Sequence, residues 1–212
     1  MTVESASGAF NLLVVGVGGQ GVLTLSDLVV RAAVRAGYDV KQSESHGMSQ
    51  RGGSVSSHVR VGPKVHAPVI DEGMADVVLA LEKLEALRHV HYLAPGGLLI
   101  VDDRQIPPMP VSTGAMAYPA DVLARCRERA ARLEVYSGEA LLATIGSARL
   151  LNTAFAGILS KHLPFAETVW RDAVAERFAG REPEGNLRAF EIGRQAEPLA
   201  LPPEETPPSV PA

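Results

Sequence analysis

The chain has 212 residues, 46% of them hydrophobic, a formal charge of −4 and a single cysteine. That length and apolar content suit a globular protein of one domain, or of one domain with a small appendage, and are ample for a large core. The mild charge, with no run of Lys or Arg, argues against nucleic acid and anionic membrane as partners. One cysteine excludes an internal disulfide and a ferredoxin-type iron–sulfur cluster held by this chain alone.

The opening residues, M-T-V-E-S-A-S-G-A-F, carry an acid and no basic stretch ahead of an apolar run, so no signal peptide is expected. No apolar run reaches the roughly 18–20 residues that span a bilayer. The expected location is the cytoplasm. Phe10 to Val15 predicts a buried strand that ends at glycine. Val22 to Ala36 has apolar residues at helical spacing, with Gly37 at the C-cap position. Tyr38 to Gln42 predicts the second strand of a βαβ unit.

Ser43 to Ser54 is polar and glycine-rich and predicts a loop. Val55 to Val61 alternates, so it predicts a strand with one buried face, and Val65 to Ile70 is expected to return as an antiparallel partner. Asp76 to Leu81 predicts another buried strand, Glu82 to Leu93 a helix stopped by Pro95-Gly96-Gly97, and Leu98 to Val101 a strand. Ile106 to Pro110, I-P-P-M-P, breaks regular structure. A helix near Ala120–Ala131 contains Cys126, which is read as a structural thiol. Leu133 to Tyr136 predicts a strand.

From Gly138 the pattern is helical, with segments near Ser147–His162, Phe165–Phe178 and Asn186–Gln195. This order predicts a Rossmann-like α/β fold: a largely parallel sheet, helices on both faces, an antiparallel ribbon and a helical C-terminal part. Residues 10–196 form the expected domain. Residues 197–212 form a proline-rich segment expected to trail as a disordered tail.

The first chemical motif is V-V-G-V-G-G-Q-G-V-L, with Gly16, Gly18 and Gly21 in the order G-x-G-x-x-G. Gly16 permits the tight turn, Gly18 allows backbone to approach a ligand, and Gly21 allows close helix–strand packing. A helix starting from Gly19 or Gln20 presents free N–H groups and a positive dipole end to an anion. For a dinucleotide, Glu44 is the available acid for the ribose. The turn can equally be architectural.

The second motif is H-G-M-S-Q-R-G-G-S, His46 to Ser54, expected on the same sheet edge. Arg51 offers a planar fork of donors for carboxylate or phosphate. Gly52 and Gly53 let backbone lie flat against a ligand or another chain. The alternative is a solvated surface loop. The histidines do not form ligand spacing with Cys or paired carboxylates, so no metal site is expected. Asp102-Asp103 at a strand end is read as a capping or turn pair.

G-V-G-G-Q-G at Gly16–Gly21, with Q-R-G-G-S at Gln50–Ser54, resembles the gamma-domain family of the 2-oxoacid:ferredoxin/flavodoxin oxidoreductases. S-E-S-H-G-M-S-Q-R-G-G-S-V-S-S-H-V-R at Ser43–Arg60 is most similar, within that group, to the beta subunits of indolepyruvate:ferredoxin oxidoreductases. Glu85–Gly97 and Asn186–Gly193 fit the same group, and the resemblance runs from about Asn11 to Arg194.

The resemblance implies an accessory subunit for oxidative decarboxylation of an aryl 2-oxoacid such as indolepyruvate. With coenzyme A and oxidised ferredoxin it yields an aryl-acetyl-CoA, carbon dioxide and reduced ferredoxin. Thiamine diphosphate and 4Fe–4S clusters are then carried by a large alpha subunit. The G-D-G and N-N motifs of thiamine diphosphate enzymes are missing from this sequence. On this reading the chain has no catalytic residue of its own. Gly16, Gly18, Gly19, Gln20, Gly21, Arg51, Gly52 and Gly53 face the partner or the coenzyme A phosphates. The competing reading is a free-standing Rossmann-type protein that binds NAD or FAD.

Overall fold

A computed structural model of the chain describes residues 8–47 and 52–201. Strand β1 (Phe10–Val17) is buried along its whole length. Its side chains alternate between two cores, as a pleated strand covered on both faces requires. Leu12 and Val14 join one core, and Leu13 and Val15 join the other. Helix α1 (Val22–Arg35) buries Leu25, Leu28, Val29, Ala32 and Ala33 at helical spacing.

Strands β2 (Asp39–His46) and β3 (Ser54–Gly62) pair antiparallel as a hairpin. β3 also pairs antiparallel with β1. Strands β4 (Ala75–Ala80), β5 (Leu93–Asp102) and β6 (Arg132–Tyr136) continue the sheet parallel to β1. The six strands lie in the order β2-β3-β1-β4-β5-β6. The α/β fold with a largely parallel sheet is therefore as expected, and several local expectations need correction.

The second strand runs parallel to β1 but does not touch it, because β3 lies between them. Ser43 to His46 belong to β2 and not to the loop. The antiparallel ribbon is β2–β3, whereas Val65–Ile70 forms no strand. That segment contains Pro68, and the Val65 N–H donates instead to the Asp39 carboxylate at 2.8 Å.

Helix α2 (Lys83–His89) is followed by a 3₁₀ turn at Val90–Tyr92, so Leu93 already opens β5. Pro95-Gly96-Gly97 lies inside that strand, where the pairing register with β4 shifts between Ala75 and Val77. A bulge absorbs the residues that the sequence pattern treats as a stop.

A short turn of helix, α3 (Met109–Ser112), and α4 (Val122–Arg127) connect β5 to β6. Helices α5 (Gly138–Ile145), α6 (Leu151–Ser160), α7 (Glu167–Arg177) and α8 (Pro183–Gln195) follow. The larger core joins α1 and α6–α8 to the sheet through Phe155, Trp170 and Phe190. The smaller core lies under α2 and α4 and includes Cys126. α6 and α8 cross with backbones in contact: a Cβ on Gly157 would meet the Phe190 carbonyl, and one on Gly193 the Ala154 carbonyl.

Residues 197–201, expected to trail freely, instead cross the outer edge of β6. The Leu199 N–H donates to the Val135 carbonyl at 2.7 Å, and Leu201 packs against the smaller core. This covers part of an edge strand that would otherwise present unpaired backbone. Residues 202–212 of that proline-rich segment lie outside the described residues.

Candidate functional site

The carboxyl ends of β1, β4, β5 and β6 share one edge of the sheet, where ligands bind in open α/β folds. The glycine turn sits there, between β1 and α1. Gly21 is the N-cap of α1 in a left-handed conformation, φ 81°. A Cβ at that position would collide with the Asn152 carboxamide from α6. Glycine is therefore required both by backbone conformation and by close packing.

Gln20 turns inward. Its Oε1 accepts the Val17 N–H at 2.7 Å, and its Nε2 donates to the Leu81 carbonyl at 2.5 Å. The side chain expected to face a partner or ligand is thus engaged in tying the turn to the end of β4. The Gln20 N–H donates to the Val17 carbonyl at 3.0 Å, and the Gly18 N–H to the Gly53 carbonyl at 2.8 Å. Two amides of the turn are therefore occupied by the chain itself. In the first turn of α1 the Thr24 N–H donates to the Gly21 carbonyl at 3.0 Å, so the Val22 and Leu23 amides are the helix N-terminal candidates for an anion.

That second contact brings two predicted segments together. Gly18 of the turn and Gly53 of the loop meet directly, and the next residue, Ser54, donates from Oγ to Glu85 Oε2 at 2.5 Å. Glu85 is buried on α2 and also accepts from Arg88 at 2.5 Å. Gly52 is left-handed, φ 77°. Arg51 lies outside the described residues.

Beside the turn is a groove of about 430 Å³, lined by Gly18, Gly19, Thr24, Glu44, His46 and Val55 among others. Glu44 is two strands away from β1, across the inserted β3, which places it about 10 Å from the β1 backbone. In a dinucleotide fold the corresponding acid lies on a strand adjacent to β1. The geometry therefore departs from the dinucleotide pattern at the residue that would bind the ribose.

No catalytic or binding motif singles out Glu82 and Glu85, although E-K-L-E after a buried strand is a capping signal. Glu82 caps α2, its carboxylate accepting the Glu85 N–H at 2.9 Å. Asp102 has the capping role read from its sequence position: it accepts the Gly138 N–H at 3.1 Å, at the start of α5, and the Arg104 side chain at 2.5 Å. Burial pushes its carboxyl up to about 6, against the opposing pull of Arg104.

A second polar cluster lies at the β6 edge. The Tyr136 hydroxyl donates to Glu134 at 2.8 Å, and His162 Nε2 is 3.2 Å from the same carboxylate. The neighbouring His162, followed by Tyr136, holds the Glu134 carboxyl down to about 2 against desolvation. Lys161 donates to the Ala196 carbonyl at 2.9 Å and secures the segment that crosses β6.

The residues do not fit an iron–sulfur cluster. Cys126 is the chain's only thiol, it is buried, and burial pushes it up to about 11. Among the described residues no group of three His, Cys, Asp or Glu is placed to hold a metal ion. His89 and His91 do not diverge as a continuous helix would require, because the 3₁₀ turn brings both rings against Tyr92, at 6.2 and 4.7 Å.

Fold and site together define a Rossmann-like α/β protein whose carboxyl edge presents a glycine turn, a helix N-terminus and, at Gly53, the end of the β2–β3 hairpin. The chain belongs to the family described as pyruvate ferredoxin/flavodoxin oxidoreductase, whose model matches residues 11–196. It is 38% identical over 192 residues to the indolepyruvate oxidoreductase subunit IorB of Thermococcus kodakarensis, covering 88% of this chain and 95% of that one. It is 40% identical over 187 residues to the subunit of the same name from Archaeoglobus fulgidus, covering 86% and 92%.

A more distant relative is the ketoisovalerate oxidoreductase subunit VorA of Methanothermobacter thermautotrophicus. It is 28% identical over 187 residues, which are 86% of this chain but 35% of that protein. Among solved structures, the 2-oxoglutarate:ferredoxin oxidoreductase of Magnetococcus marinus shares the fold with a TM-score of 0.69 at 19% identity. The match covers 91% of this chain and 34% of that one.

Proposed function

We propose that this chain is the accessory, beta-type subunit of an arylpyruvate:ferredoxin oxidoreductase, with indolepyruvate as the reference substrate. The observation that supports this most is the near full-length similarity, at 38–40% identity, to two indolepyruvate oxidoreductase subunits. In the proposed reaction the 2-oxoacid loses carbon dioxide, its acyl group passes to the sulfur of coenzyme A, and the electron pair passes to ferredoxin. Thiamine diphosphate and 4Fe–4S clusters belong to a large alpha subunit, consistent with a single buried thiol here. The complex works in the cytoplasm.

This chain's own contribution is a surface. The α1 amides and the groove beside the turn, joined by Arg51 on the strength of its sequence motif, face the coenzyme A phosphates or the partner's active site. Gln20 acts from behind, holding the turn in shape through Val17 and Leu81. Arg51→Ala is expected to raise the KM for coenzyme A about tenfold in the reconstituted complex. Unchanged KM and turnover would remove Arg51 from the site.

The subunit reading itself is tested by co-expression with the large subunit. A tagged copy of this chain is expected to bring down a brown, iron-containing partner. Tight NAD binding by the isolated chain, with no partner recovered, would favour a free-standing dinucleotide protein instead.

A further inference from the structure

The segment from Gln105 to Ala120, Q-I-P-P-M-P-V-S-T-G-A-M-A-Y-P-A, contains no Asp, Glu, Lys or Arg, in a chain that is 21% charged. It is nevertheless largely exposed. Met109 and Met116 are 75% and 64% exposed, the highest values among the large hydrophobic side chains described as exposed. An isolated exposed methionine is ordinary, but an exposed stretch free of charge is not.

This loop is held by the fold. The Ile106 N–H, at 3.2 Å, and the Tyr118 hydroxyl, at 2.6 Å, both donate to the same oxygen of Glu82. Glu82 is buried, so one carboxylate clips both ends. Between the clips the loop satisfies its own backbone: Ser112 N–H donates to Pro108, Gly114 N–H to Val111 and Met116 N–H to Pro110. The two methionines are thus displayed on an ordered support, with less conformational entropy to lose on docking.

Composition narrows the occupant. Depletion of charge with enrichment of Met marks the centre of protein interfaces, and Met adapts to an irregular apolar partner surface. Nucleic acid and anionic lipid need cations that the loop lacks. Position narrows it further. Leu81 anchors Gln20 of the glycine turn, and its neighbour Glu82 anchors the loop, so turn and loop share the carboxyl edge. VorA carries an equivalent unit within a chain of which this protein matches only 35%. In the IorB relatives of Thermococcus kodakarensis and Archaeoglobus fulgidus the matching unit fills 95% and 92% of the chain, so a unit covalently joined to further oxidoreductase chain in one relative meets its partner by contact in others.

We infer that the loop 105–120 is a docking clasp for the large catalytic subunit, with Met109 and Met116 as its apolar contacts and Glu82 as its latch. This inference rests on the accessory-subunit reading. The test measures binding of the full chain to the purified large subunit by biolayer interferometry. Met109→Asp/Met116→Asp is expected to weaken binding at least about 30-fold, as loss of central apolar contacts does. Its Tm should stay within about 2 °C of the parent, since neither side chain is in the core.

Met109→Leu/Met116→Leu should bind like the parent, as should Val34→Asp, a control at an exposed apolar position on α1. Equal binding by the parent and the double aspartate variant would overturn the clasp and leave the subunit reading intact. No binding by the parent would overturn the subunit reading. Self-association of the isolated parent, or flotation with phosphatidylcholine vesicles, abolished by the double aspartate variant, would reassign the loop to a second copy or to a membrane and so overturn the choice of partner.

Discussion

The Gln20 carboxamide donates to the Leu81 carbonyl at 2.5 Å while accepting the Val17 N–H at 2.7 Å, so one side chain joins the first βα turn to the end of β4. Replacing Gln20 by Ala leaves a strand-end N–H and a carbonyl without their partners. The expected cost is about 1–3 kcal/mol, read as a lower urea midpoint with an unchanged m-value. If Gln20 were instead a ligand contact, stability would hold and only the KM for coenzyme A would change.

Gly21 and Asn152 make a second coupled pair. Gly21→Ala combines a left-handed backbone with a collision against the Asn152 amide, and is expected to cost about 2–4 kcal/mol. Adding Asn152→Ala removes the collision and leaves the backbone strain, so the double variant should recover part of the loss. A double-mutant cycle in urea checks this; strict additivity would show that the two residues are not in contact.

Asp102 sets a pH dependence. Its carboxyl titrates near 6 when folded, against an ordinary value of 3.8. Between those values the folded state keeps a proton that the unfolded chain has released. This group therefore makes stability fall as pH rises from about 4 to about 6, by up to about 3 kcal/mol, with no further change above. Glu134 acts in the opposite sense at lower pH: held near 2 when folded, it contributes stability above its ordinary value of 4.5 that is lost as pH falls towards 2. Urea titrations of the parent and Asp102→Asn across pH 3–8 separate the two, since their difference should vary only in the upper window.

Cys126 should be inert in the native protein. Burial and a thiol pushed up to about 11 remove the reactive thiolate. Reaction with an aromatic disulfide reagent at pH 8 is expected only at the rate of unfolding, becoming complete in urea. Fast labelling of the native chain would show that the α4 side of the sheet opens.

The parts of this molecule legible in its sequence are those whose burial is one-sided or complete. β1 and β4 are apolar runs in the interior, and α1 carries a clear buried stripe, so period and composition located them. The sequence pattern ends β2 at Gln42 because Ser43–His46 is a polar edge stretch whose hydrogen bonds are supplied by its partner, β3. Its position across β3, and with it the displacement of Glu44 from β1, is a matter of topology that local pattern does not encode.

At the site, the glycine spacing located the turn, and the meeting of Gly18 with Gly53 matches the expected convergence of turn and loop. The inward direction of Gln20 was hidden, because a glutamine after glycines looks the same whether it points at a ligand or at Leu81. The roles of Glu82 and Glu85 depend on Ile106, Tyr118 and Ser54, all distant in sequence.

The central claim is that this chain completes an oxidoreductase it cannot form alone. The direct measurement titrates the purified chain into a fixed amount of the large subunit and follows coenzyme A-dependent reduction of a viologen dye by indolepyruvate. The account predicts negligible turnover by either component and a rise that saturates at a fixed molar ratio. Full turnover by the large subunit alone, unchanged by this chain, would contradict it.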